Sequence, residues 1–185
     1  MNLRQAFLTL SLPAMLAGCM SSPTAADTAT NTPASRNAPP PCSANFAQRA
    51  GSLVLANTKV PKDLVENKSA PLEFANTINV SKSLKELARV SHYDNGWSSF
   101  ALSVQSRGAQ SISVHISAAS MPRNSEIWLC SPDGLRNEGP YRDPVGGDVW
   151  TPVVPGDVAW LEVLVPTSQE SAFKATLAEV FGGFR

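Results

Sequence analysis

The sequence predicts an all-β fold, an antiparallel β-sandwich of jelly-roll-like character that follows a disordered tether. Three observations carry this expectation. First, Gln110 to Ala118 places Ile112, Val114 and Ile116 on one face against Ser111, Ser113, His115 and Ser117 on the other; a period of two marks a strand with one buried face. Second, the other apolar runs are short, at Glu126–Ser131, Asp148–Val154, Val158–Val165 and Phe173–Phe181. Third, turn signals separate them: Ser131-Pro132-Asp133-Gly134 and Pro155-Gly156-Asp157 put proline and glycine where reversals need them. Many short strands with such punctuation point to a sandwich.

Taken in chain order, residues 1–18 read as an export signal. Arg4 supplies the positive start, and the run from Ala6 to Leu16 is too short to span a bilayer. The run ends in Leu16-Ala17-Gly18-Cys19, which resembles the lipobox of bacterial lipoproteins. That resemblance implies cleavage before Cys19 and acylation of its thiol, which anchors the chain in a membrane without a spanning helix. Met20 follows where an inner-membrane retention signal would have Asp. The expected location is the outer membrane of a Gram-negative cell, with the membrane as one partner through the lipid.

Residues 19–45 form the expected tether. Between Met20 and Asn45, 22 of 26 residues are Ala, Pro, Ser, Thr or Asn, and none is Val, Ile, Leu, Phe, Trp or Tyr. Such a segment has no apolar material to bury and stays extended, reaching up to roughly 80 Å at about 3 Å per residue. The folded domain is then residues 46–185.

Within that domain Lys82 to Val90 is the one helical candidate, with Leu84, Leu87 and Ala88 on one side. Phe100, Leu102 and Val104 repeat the alternation before Ser106-Arg107-Gly108-Ala109, so Trp97–Gln105 and Gln110–Ala118 are expected to pair as a hairpin. Gly146-Gly147 and Gly182-Gly183 read as turn or chain-end material.

Several strings from Gly96 onward carry a family resemblance. They include Glu126-Ile127-Trp128-Leu129, Ser131-Pro132-Asp133-Gly134, Gly139-Pro140-Tyr141 and Trp150-Thr151-Pro152-Val153-Val154-Pro155-Gly156-Asp157, with the ending Phe181-Gly182-Gly183-Phe184-Arg185. Together, over about half the chain, these resemble the region preceding the catalytic domain in bacterial lysyl-endopeptidase-like serine proteases of the trypsin fold. The resemblance implies a non-catalytic β domain that assists folding, latency or secretion of a protease. The chain departs from that pattern by stopping where the protease would begin.

Charge and composition narrow the function classes. Lys and Arg number 15 against 15 Asp and Glu, and a balanced chain lacks the basic excess that phosphate binding draws on, so no nucleic acid partner is expected. There are two histidines. His115 alternates with serines on a solvent face, and His92 precedes a turn, with Asp94 as its nearest acidic neighbour. Neither context suits a Ser-His-Asp triad or a metal site; catalytic residues, metal and cofactors are all expected to be none.

With Cys19 acylated, Cys42 and Cys130 remain. In an oxidising compartment they are expected to pair as a disulfide, the alternative being a buried Cys130 and an unpaired Cys42. Parity sets Cys130 beside Glu126 and Trp128, opposite the inward Ile127 and Leu129, within reach of the tether.

The same parity places Trp160 with Glu162, Trp150 with Asp148 and Trp128 with Glu126. Trp128, Trp150 and Trp160 therefore form the candidate binding face, since aromatics beside charges are characteristic of recognition surfaces. The alternative is a second core layer covered by residues 46–90. Two functional readings follow. In one, the chain is a lipid-anchored, non-catalytic envelope module binding a protein partner, with a secreted serine protease as the candidate; in the other, it is a glycan-binding or adhesive surface module.

Overall fold

A computed structural model describes residues 38–59 and 73–184. The export signal, Cys19 and residues 20–37 of the tether lie outside the described residues.

Among the described residues, eleven strands form two sheets. Sheet A holds β1 (Gly51–Leu55), β3 (Arg89–Tyr93), β4 (Trp97–Ser106), β6 (Glu126–Cys130), β7 (Asn137–Tyr141) and β10 (Val158–Pro166); sheet B holds β2 (Ala75–Ser83), β5 (Ser111–Ser120), β8 (Val149–Trp150), β9 (Val154–Pro155) and β11 (Lys174–Gly183). In sheet A the order is β1-β4-β10-β6-β7, with β3 sharing the β1 side of β4; in sheet B it is β2-β11-β5-β8, with β9 beside β8 along β5. All described pairings are antiparallel except β1 with β4, which is parallel. The all-β sandwich is thus the observed fold.

The core is made where the apolar faces meet. Phe100, Leu102 and Val104 of β4, Ile127 and Leu129 of β6, and Ala159, Leu161, Val163 and Val165 of β10 supply one side. Ile112, Val114 and Ile116 of β5 with Leu177 and Val180 of β11 supply the other. The clean alternating runs of β4, β5, β6 and β10 bury the face their parity assigns, and burial of such side chains contributes about 1.5–3 kcal/mol each before entropy is set against it.

Two expectations change. Trp97–Gln105 and Gln110–Ala118 do not form a hairpin: β4 belongs to sheet A and β5 to sheet B, so the exposed turn between them passes from one sheet to the other. Alternation is satisfied either way, because both strands turn an apolar face inward whether they lie side by side or across from one another. The helix expected over 82–90 is one turn, α2 (Leu84–Leu87), after an equally short α1 (Phe46–Arg49). Residues on either side of α2 join β2 and β3, where their backbone groups find sheet partners.

Gly182 and Gly183 are not chain-end material but the last residues of β11, and a Cβ at Gly182 would lie 2.2 Å from Thr58 Oγ1 and 2.9 Å from Ser106 Oγ. Only glycine permits that approach.

The end of the expected tether lies on the domain. Pro39 is buried, and Cys42 is bonded to Cys130 with a Cα–Cα distance of 6.4 Å. Polar composition kept residues 38–45 from reading as folded, yet a covalent bond and hydrogen bonds hold them without an apolar run of their own.

Candidate functional site

The structure separates the three candidate tryptophans. Trp128 and Trp160 stand on the outer face of sheet A, one on β6 and one on β10, whereas Trp150 stands on β8 in sheet B. Parity assigned each to an outward face, but outward from different sheets, so they do not make one surface.

On sheet A the outward residues are covered. Phe46 of α1 stacks on Trp160 with ring centroids 4.8 Å apart and planes 20° from parallel. Glu162 beside it is completely buried. Its Oε1 accepts from Arg49 Nη2 at 2.8 Å and from Ser99 Oγ at 2.6 Å, and its Oε2 accepts from the Cys42 N–H at 2.5 Å. A buried carboxylate is tolerated when it is paired and its lone pairs are filled, and here residues 42–49 supply most of the donors. Arg49 also lies over the Phe46 and Tyr93 rings. Burial pushes the Tyr93 phenol up from its ordinary value.

Trp128 is held on the same face by its own neighbours. Its Nε1–H donates to Glu126 Oε2 at 3.0 Å, and Arg142 pairs with the other oxygen of Glu126. The backbone of Gly139 passes so close that a Cβ there would sit 3.0 Å from the indole. Trp128 and Trp160 are both parts of the packed structure.

Trp150 differs, with 58% of its surface exposed. It lies directly opposite His115 in the β5–β8 register, and the two rings stack with centroids 3.7 Å apart and planes 11° from parallel. Phe181 of β11 lies 5.9 Å from Trp150, centroid to centroid. The histidine under the indole is fixed on both nitrogens: Nε2 is 3.0 Å from Asp148 Oδ1 and Nδ1 is 3.1 Å from Glu179 Oε2. His115, expected as a bare surface histidine, is covered, with 14% of its side chain exposed.

A shift of register in β11 helps to build this cluster. Between Leu177 and Glu179 the strand carries an extra residue relative to β5, so Leu177 and Val180 both face the core while Glu179 pairs opposite His115 and Phe181 opposite Ser113. Simple alternation from Leu177 would have turned Glu179 inward and Val180 outward. That is why Glu179 and Phe181 were missed from sequence; the bulge erases the period that would locate them. The only trace is the spacing of three from Leu177 to Val180.

His92 joins neither the cluster nor Asp94. Its Nε2 lies 2.9 Å from Glu170 Oε2, the same oxygen that accepts from Ser98 Oγ at 2.7 Å. The Ser98 bond, followed by that from His92, lowers the Glu170 carboxyl below its ordinary value. The carboxylate stands between serine and histidine, whereas nucleophile activation requires histidine in the middle. Pro132, Asp133, Pro155, Gly156, Asp157 and Val158 line an open depression of about 330 Å³ between two turns. Among the described residues, no group of three or more His, Cys, Asp or Glu is gathered as a metal site, and no helix is long and apolar enough to cross a membrane.

The chain matches no protein-family model, no curated protein and no solved structure.

Proposed function

We propose that this chain is a lipid-anchored, non-catalytic interaction module of the outer membrane, attached through Cys19 and binding a protein partner through the outer face of sheet B around Trp150. The supporting observation is the state of Trp150: exposed, yet stacked on a histidine that two carboxylates hold in place. An aromatic that is solvent-facing and already ordered loses little freedom on binding, the property of an interface anchor. The lipobox-like Leu16-Ala17-Gly18-Cys19 supports the anchorage. The resemblance of residues 96–185 to the region before a protease domain supports a secreted serine protease as the partner, held as by a chaperone or inhibitor.

The test is capture from envelope extracts by the full-length chain in detergent, compared with Trp150→Ala. Loss of one specific partner with an unchanged melting temperature supports the reading; equal capture by both proteins sinks it. A second reading, glycan binding, draws on the hydroxyl-rich surroundings, because Ser111, Ser113 and Ser117 alternate outward from the buried Ile112, Val114 and Ile116. Trp150-dependent retention on peptidoglycan or polysaccharide columns would favour it.

A further inference from the structure

We infer that the open face of Trp150 receives a basic side chain, Lys or Arg, of the protein partner. This rests on the reading that the Trp150 face is the recognition surface and adds the chemistry of its ligand.

One face of the indole is closed by His115 at 3.7 Å, and Trp150 nonetheless keeps more than half its surface in solvent. Trp presents the most electron-rich face of any side chain and attracts a cation placed over it. The charges around it act in the same direction. Asp148 precedes Trp150 by two residues and is 49% exposed, and Glu179 is 28% exposed. Among the described residues the only ion pair that either carboxylate makes is with His115. With His115 neutral the cluster carries two negative charges, and with it protonated one. In either state it is complementary to a cation.

The geometry also defines how such a group would sit. Stacking on His115 fixes the indole plane, and the bonds from His115 to Asp148 and Glu179 fix the imidazole. Both carboxylates are therefore held around the ring before a ligand arrives. A guanidinium or ammonium over the indole would sit in the field of these two carboxylates while its methylene stem packs along the ring. A neutral sugar would gain from stacking but not from the charge.

The experiment follows the indole N–H resonance of Trp150 in the full-length chain in detergent, assigned by its loss in Trp150→Phe. The probes are acetylated and amidated Gly-Lys-Gly and Gly-Arg-Gly, the neutral peptide with norleucine in the central place, and chitotriose. The expected result is a saturable shift with the two basic peptides, at least tenfold weaker for the norleucine peptide and for Asp148→Asn combined with Glu179→Gln. Should that double variant not fold, the native chain decides: affinity for the basic peptides is expected to fall at least threefold between 50 and 500 mM NaCl. No shift with either basic peptide, or an affinity indifferent to salt, overturns the inference while Trp150-dependent partner capture still stands. A saturable shift with chitotriose alone overturns it in favour of a glycan. Partner capture untouched by Trp150→Ala removes the reading beneath it.

Discussion

Arg49 and Glu162 stand 113 residues apart in the chain and meet at 2.8 Å on the outer face of sheet A. Glu162 is fully buried and Arg49 nearly so. Removing one member of such a pair leaves the other as an uncompensated charge. Arg49→Ala is therefore expected to cost about 3–5 kcal/mol, read as a lower denaturant midpoint in equilibrium unfolding. A loss below about 1 kcal/mol, the range of an exposed pair, would show that Glu162 is held well enough by Ser99 and the Cys42 N–H.

The Cys42–Cys130 disulfide closes a separation of 88 residues. In the chain-entropy account a loop of that size contributes about 4–5 kcal/mol. Cys42→Ser, and reduction of the native chain, are each expected to lower the unfolding midpoint strongly and by similar amounts. An unchanged midpoint after complete reduction would mean that the hydrogen bonds and the Phe46–Trp160 stack alone keep residues 38–49 in place.

The two exposed-parity tryptophans of different sheets should respond oppositely to truncation. Trp160→Ala removes the ring under Phe46 and is expected to cost about 3 kcal/mol or more. Trp150→Ala uncovers His115 but opens no core cavity, and its cost is expected to stay below about 1 kcal/mol. Thermal unfolding of the two variants measures the contrast, and equal losses would mean that the His115 cluster is a structural element of sheet B.

The chain has two tyrosines, Tyr93 and Tyr141, and burial raises both phenols, Tyr141 to about 12 with a further push from Glu138. Because the folded values exceed the unfolded value of 10.0, each tyrosine favours the folded state below pH 10 and loses that contribution as pH rises through its folded value. Absorbance titration of the native protein should show less than half of the tyrosine ionised at pH 10, with both groups returning to their ordinary midpoint in denaturant. Half-ionisation at pH 10 in the native protein would contradict the buried settings of both rings.

The strands with clean alternation were legible in sequence because one face of each is apolar and the other polar. β5, β6 and β10 lie where Ile112, Ile127 and Leu161 with their neighbours place them, and the Cys42–Cys130 disulfide was expected from the two cysteines left beside Cys19, with parity setting Cys130 within reach of the tether. What sequence could not convey was which strands adjoin. Trp128 and Trp150 both point outward, but parity refers to a strand's own two faces and is silent about the sheet to which the strand belongs. β7 was hidden for another reason: Asn137-Glu138-Gly139-Pro140-Tyr141 has no alternation, and its pairing with β6 follows from tertiary position. In the candidate site, Trp150 and Asp148 were legible, whereas Glu179 and Phe181 depend on the bulge and His115 on a register that only folding establishes.

The position of β11 bears on when this chain can fold. It runs between β2 and β5 at the centre of sheet B, yet it is the last of the described strands; the hairpins β3–β4 and β6–β7 that precede it both belong to sheet A. A polypeptide emerging N-terminus first would hold β2 and β5 with nothing between them until residues 174–183 arrived. The pairing of β11 with β2 joins residues as far apart in the chain as Ala75 and Gly183, and such long separations delay folding. Closure of sheet B by β11 is thus the step on which completion of this fold waits.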